Sequence, residues 1–236
     1  MTQSADAPGC APATQHLHPL QWLALVCAVL ATLSALGWQA GHWVLKPSVM
    51  LWAIAFVALQ ARRPGASRRW HALLIGALLA SLAGDVFLML PGDAFIAGLA
   101  SFLLAHLCYI ALFRQGQRWF PSRTALGVVL ALGAGMYALI WPGLHAPVLQ
   151  LAVAAYVCVI ALMVAQALGR AQTQGTALAR GVALGAGLFM LSDSLIAINR
   201  FVSPLPLAPL WILGTYYAAQ LLMLHHLMAA PQACPR

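Results

Sequence analysis

Two aspartates sit where a charged side chain is least expected. Asp85 and Asp193 each lie inside a long apolar run, and they are two of only four acids in a chain that has no Glu. A charged Asp at the centre of a bilayer costs about 2.5–3.5 kcal/mol on insertion scales, and more by simulation. An acid kept at that cost is either held by a partner or used. Two carboxyls together can do proton chemistry. A neutral one delivers a proton, while an ionised one steadies a developing cation and draws a proton from water. Asp85 is five residues before the end of its run and Asp193 about seven before the end of its own. At the helical rise these depths are about 7–8 Å and about 10 Å. The match predicts that, on neighbouring helices, both carboxyls face one cavity. The sequence leaves open which is the acid and which the base.

Other polar groups fall at the same level. Lys46 opens the second apolar run, just before Pro47. Arg200 is seven residues after Asp193, on the same helix face, and Asn199 precedes it. Phe102, His106 and Tyr109 follow an i, i+4, i+7 line with Ser101 beside it. Lys46, Ser101, His106, Tyr109, Asn199 and Arg200 are therefore the candidate substrate contacts, expected to converge with the two acids. Each also has a plain reading. Lys46 and Arg200 serve as interfacial anchors, His106 as a hydrogen-bonded core residue and Asp93 as a helix cap. Tyr216, Tyr217 and Gln220 read as packing and belt residues. No HExxH spacing is present, so no metal site is assigned. No G-x-S-x-G elbow and no cofactor motif is present either. The five cysteines form no CxxC pair and indicate neither zinc nor a disulfide framework.

The elements that must position these groups are membrane spans. Of 236 residues, 63% are apolar and 7% charged, against about a quarter charged in a soluble domain. The apolar runs are 20–38, 43–61, 71–90, 94–113, 124–141, 147–168, 181–200 and 207–229, separated by short Pro-, Gly- and Arg-containing gaps. Each is near the ~20 residues that cross a bilayer. None alternates as a barrel strand would. The expectation is an all-α integral membrane protein of eight transmembrane helices, residues 20–229, in a single domain. Residues 1–19 and 230–236 are expected as cytoplasmic tails, the first disordered and lacking the basic start of a signal peptide.

Charge sets the orientation. Ten of the twelve Lys and Arg fall on one side if the N-terminus is cytoplasmic, leaving only Lys46 and Arg200 opposite. Both termini are then cytoplasmic, in the inner membrane if the cell is bacterial. The pI of about 9.9 does not indicate nucleic acid, because the basic residues form loops between spans rather than one patch. Gly76, Ala80 and Gly84, and Gly181 and Gly185, line helix faces that allow close packing in lipid. SLAGDVFLM (81–89) and FMLSDSLIA (189–197) place a small residue and then Asp in similar frames. That faint repeat fits two parallel halves of four helices.

SLAGDVFLM (81–89), GLASFLLAHLCYIALF (98–113), the Lys46–Pro47 pair and LFMLSDSLIAINRF (188–201) resemble the signature segments of the YhhN-like lysoplasmalogenases. The resemblance runs through the whole chain in length, span number and segment order. It implies an eight-span hydrolase that cleaves the vinyl ether bond of a lysophospholipid to a fatty aldehyde and a glycerophospho-base. By the same resemblance Asp85 and Asp193 fall on the family's motif acids. A proton-coupled carrier of a small molecule or lipid, using the same acids, is the alternative reading. Either way the partners are membrane lipid and a lipid-like ligand. Nothing in the sequence sets an oligomeric state.

Overall fold

The computed structural model describes residues 17–229; of the expected tails 1–19 and 230–236, all but 17–19 lie outside these described residues, and Pro19 already belongs to the first helix. The described residues form eight α-helices: α1 (Pro19–Ser34), α2 (Gln39–Ala61), α3 (Arg68–Met89), α4 (Phe95–Phe113), α5 (Arg123–Ile140), α6 (Pro147–Gln174), α7 (Ala177–Phe201) and α8 (Ala208–Ala229). A single 3-10 turn, Trp141–Gly143, follows α5, and among the described residues there is no strand.

Local chemistry explains the boundaries. Ser67, Ser122 and Thr176 cap α3, α5 and α7, each accepting a backbone N–H three residues on, as short hydroxyl residues do at helix starts. Pro147 opens α6 at a position where its missing N–H costs nothing. α6 runs past its apolar segment to Gln174, because Gln, Ala and Arg propagate a helix well. It stops at Gly175, which adopts φ 65°, a left-handed cap that glycine accepts without strain.

α2 starts earlier than its apolar run. Gly37 belongs to a turn and the helix begins at Gln39. Lys46 is therefore the eighth residue of α2 rather than its opening residue, and Pro47 lies inside the helix. The chain accepts this because Pro47 removes only one helical N–H.

The protein is an integral membrane protein. Six helices, α2 to α7, are long and apolar enough to cross a bilayer. α1 has 16 residues, about 24 Å of helix against a hydrocarbon core of about 30 Å. α8 is longer but carries Gln220, His225 and His226. Large apolar side chains stand on the surface: Leu151, Val148, Val44 and Trp22 are all exposed, as residues facing lipid tails can be.

Helix contacts run in a closed circuit, α1–α2–α3–α4–α6–α7–α8 and back to α1. α5 stands outside it, packed on α6 and touching α7 lightly. The acid-bearing helices α3 and α7 are not adjacent in this circuit. α4 and α6 separate them on one side and α2, α1 and α8 on the other.

Candidate functional site

Asp85 is held inside the bundle by two other helices. Lys46 Nζ of α2 lies 3.4 Å from its Oδ1, and Tyr216 of α8 donates to its Oδ2 at 2.7 Å. The Asp85 side chain is 3% exposed and that of Lys46 8%. A charge so buried must be paired, since removing one partner strands the other. One turn away the polar contacts continue. Tyr109 donates to Gln220 Oε1 at 2.6 Å, and Gln220 Nε2 donates to Ser81 Oγ at 3.0 Å. Four helices are thus tied by side-chain hydrogen bonds in a medium that offers no competing water.

Asp193 belongs to a second cluster. Tyr156 of α6 donates to its Oδ2 at 2.5 Å. His106 Nε2 of α4 is 3.0 Å from the Tyr156 hydroxyl and 3.5 Å from Asp193 Oδ2. A tyrosine hydroxyl has one proton. With that proton on Asp193, the hydroxyl accepts from His106, which assigns the imidazole hydrogen to Nε2. Nδ1 of His106 is buried with no hydrogen-bond partner. The order His106, Tyr156, Asp193 is a path along which a proton can be passed.

Aromatic rings join the clusters. Phe102 and Phe189 meet edge-on at 6.0 Å. Phe189 lies 4.7 Å from the His106 ring and 5.4 Å from the Tyr216 ring, and Phe102 lies 5.8 Å from Tyr216. Gly84, immediately before Asp85, makes room for this wall. A Cβ there would come within 2.5 Å of the Phe102 ring.

Two cavities lie near these clusters, the first with Phe102 in its lining. An apolar one of about 280 Å³ lies between α4, α5, α6 and α7, with Asp193 and Tyr156 on its surface. A more polar one of about 510 Å³ is lined by Ser34, Gln39, His42, Lys46 and Asn199 among others. Leu88 of α3 lines both. Asp85 lines neither.

The expected convergence is therefore corrected in several places. The two acids do not share a cavity: α3 and α7 are not packed side by side, and Phe102 and Phe189 fill the space between their clusters. Lys46 meets Asp85 as expected, and His106 meets Asp193. Arg200 turns outward instead. Its guanidinium donates to Asp93 at 2.8 Å and lies over the Phe95 ring at 4.2 Å, because α7 reaches the membrane edge there. Asp93 also accepts the N–H of Phe95 at 3.4 Å, but the N-cap of α4 is Ala94, one residue on, and no side chain caps that helix, which corrects the cap expected of Asp93. Ser101 bonds the carbonyl of Ala97 on its own helix. Asn199 receives the N–H of Leu205 and borders the polar cavity. Tyr109 lies in the Gln220 chain, away from either cavity.

Tyr156, Tyr216 and Gln220 are the residues that sequence reasoning missed or set aside. Tyr216 and Gln220 read as packing, yet both serve the Asp85 cluster. A signal for Tyr156 exists: it is nine residues into α6 while Asp193 is eight from the end of α7. Those depths, about 13 Å and about 12 Å, match across antiparallel helices. Among the described residues no three His, Cys, Asp or Glu side chains gather as a metal site requires.

The YhhN family model matches residues 41–227. A protein of Mycobacterium tuberculosis named lysoplasmalogenase is 35% identical over 217 residues, covering 86% of this chain and 79% of its own. Lysoplasmalogenase TMEM86B of Sus scrofa is 34% identical, covering 94% and 92%, and that of Homo sapiens 32%, covering 90% and 78%. No solved structure matches the chain.

Proposed function

The chain belongs to the YhhN family, and on that premise we propose that it is a lysoplasmalogenase, hydrolysing the vinyl ether bond of a single-chain lysophospholipid within the membrane. The observation that carries the reading is Asp193, bonded to Tyr156 and His106, on the wall of an apolar cavity. Its side chain is 12% exposed against 3% for Asp85, so it is the acid that a substrate can reach.

The reaction needs a proton on the β-carbon of the alkenyl chain. Asp193, neutral, gives it. The ether carbon becomes an oxocarbenium ion, and the Asp193 carboxylate then draws a proton from the water that adds there. The hemiacetal collapses to a fatty aldehyde and the free glycerol hydroxyl, with one water consumed. In the collapse the hemiacetal hydroxyl loses its proton and the glycerol oxygen gains one, a transfer that the His106–Tyr156 pair beside Asp193 relays. Asp85 and Lys46 form an ion pair behind the aromatic wall; with the Lys46 charge shared by the headgroup phosphate, the Asp85 carboxylate favours the cation. Preorganised charge of this kind is the commonest large contribution to a catalysed rate.

The cavities suit the two ends of such a lipid. The alkenyl chain occupies the apolar cavity. The phosphate of the headgroup lies by Lys46, His42 and Asn199, where a cation favours it. The bond to be cut then falls near Leu88, the divide between them. The chain crosses the membrane eight times in this reading, α1 and α8 included, with both termini cytoplasmic as the basic loops require.

The test is aldehyde release. Purified protein in detergent is given a 1-alkenyl-lysophospholipid, and free fatty aldehyde is measured by coupled reduction. Release by the wild type at a rate far above a heat-denatured control is expected. No aldehyde from any alkenyl lysolipid would end the proposal.

A further inference from the structure

A third cavity opens on the α6–α7 seam. It has a volume of about 730 Å³, and Leu168, Gln172, Arg180, Ala183, Gly187 and Leu191 are among its lining residues. Gly187 and Leu191 also line the cavity at Asp193, so the two spaces abut. The shared face of α7 is regular: Arg180, Leu184, Gly187, Leu191 and Ser194 follow at spacings of three and four residues.

Gly187 is unlike the other glycines of α7. Gly181 and Gly185 are pressed against α8, where added Cβ atoms would meet His226 and Met223. Around Gly187 nothing lies within 4 Å of such an atom. Its missing side chain is not used for packing, and it leaves the passage between cavity and groove open.

We propose that this groove is the binding site for the distal part of the substrate's alkenyl chain, which threads from Asp193 past Gly187 and Leu191 and runs between α6 and α7 toward Ala183. The inference rests on the vinyl ether reading of Asp193. The length fits. Asp193 to Ala183 is ten residues of helix, or about 15 Å, comparable in length to the run of a lipid tail through half of the ~30 Å hydrocarbon core, though it starts deeper, at Asp193. The chemistry fits as well, since the groove between Asp193 and Ala183 offers only Leu, Gly and Ala side chains to its occupant and the first charge, Arg180, comes beyond it. A lipid chain entering sideways from the bilayer meets no polar group until it reaches Asp193. Gly187 is then a specificity-determining position, and long chains use the groove while short ones end within the cavity.

The experiment compares octadecenyl and octenyl lysolipids on the wild type, Gly187→Trp, Gly187→Leu and a control, Leu151→Trp, on a lipid-facing surface of α6. Gly187→Trp is expected to lower the long-over-short rate ratio by at least about tenfold, Gly187→Leu by less, and the control not at all. A non-cleavable alkyl-ether lysolipid carrying a diazirine at its chain end gives a readout without turnover. In the wild type it should crosslink within residues 180–191, and in Gly187→Trp that labelling should be lost. Crosslinking there by a wild type that releases no aldehyde would uphold the groove while sinking the hydrolase reading. Labelling spread over the lipid-facing residues of many helices, as bulk lipid would give, overturns the inference. So does a rate ratio unchanged in a well-folded Gly187→Trp protein that elutes as one peak.

Discussion

The ring of Phe102 stands edge-on to that of Phe189 at 6.0 Å, one from α4 and one from α7. Both rings touch Tyr216, which holds Asp85, and Phe189 also touches His106, which faces Asp193. An apolar partition thus stands between the two acid clusters, and across it a fixed charge is screened far less than in water. In the proposed scheme Asp85 acts on the reacting centre across that partition.

Replacing Asp193 with Asn keeps the size and removes the transferable proton. The rate of aldehyde release should fall by about 10²–10⁴-fold, the usual contribution of a positioned acid–base group. Asp85→Asn should also cost heavily, since it erases the charge behind the wall. The double variant should lose little beyond the worse single one, as groups acting together are non-additive. Wild-type rates should trace a bell against pH. Either single variant working near the wild-type rate would refute the scheme.

Tyr156→Phe removes one hydroxyl and leaves the ring. It breaks the only bond between Tyr156 and Asp193 and the link to His106. A hydrogen bond to a charged group is worth about 1.5–3 kcal/mol, so a fall of roughly 10–100-fold is expected. A positioning role also predicts a displaced pH profile with chain-length preference intact. A profile superimposable on the wild type would argue that Tyr156 merely packs.

Lys46→Met strands Asp85 in an apolar interior. The cost should be about 3–5 kcal/mol of stability, read as a lower Tm in detergent. Adding Asp85→Asn should restore most of it, because the unpaired charge is then gone. If Lys46→Met melts with the wild type, the 3.4 Å pair is not holding α2 to α3.

Arg200→Ala is the contrasting case. The Arg200 side chain is 40% exposed and that of its partner Asp93 72%. Exposed pairs contribute at most about 1 kcal/mol, so stability should barely change and aldehyde release should stay near wild type. A large loss of rate would mean that Arg200 leaves Asp93 to meet the substrate.

Much of the architecture was legible from the chain. The helices fall within a few residues of the apolar runs, because Ser, Thr, Pro and Gly mark where a helix can begin and end. The importance of Asp85 and Asp193 was legible too, since an acid in lipid needs a reason. Their surroundings were not. Sequence depth placed Lys46, Arg200 and both acids at one level, yet depth says nothing about rotation around a helix. Arg200 shares a face with Asp193 but sits two turns nearer the membrane edge, where Asp93 waits in a turn. Tyr156 and Tyr216 are amphipathic residues that read equally as packing. Only the pairing of α6 with α7, and of α8 with α3 across the bundle, reveals them as partners of the acids.

α5 lies outside the circuit of helices, and its consequence is a separation of tasks. Every partner of the two acids comes from α2, α3, α4, α6, α7 or α8. α5 contributes Leu132, Gly133, Met136 and Ile140 to the apolar cavity and nothing to either cluster. Mutational drift along α5 can therefore reshape what is enclosed while the proton-handling groups stay as they are. A lineage of such proteins has in α5 a cavity-lining helix free to track changing lipid diets, apart from the six that hold the proton-handling groups.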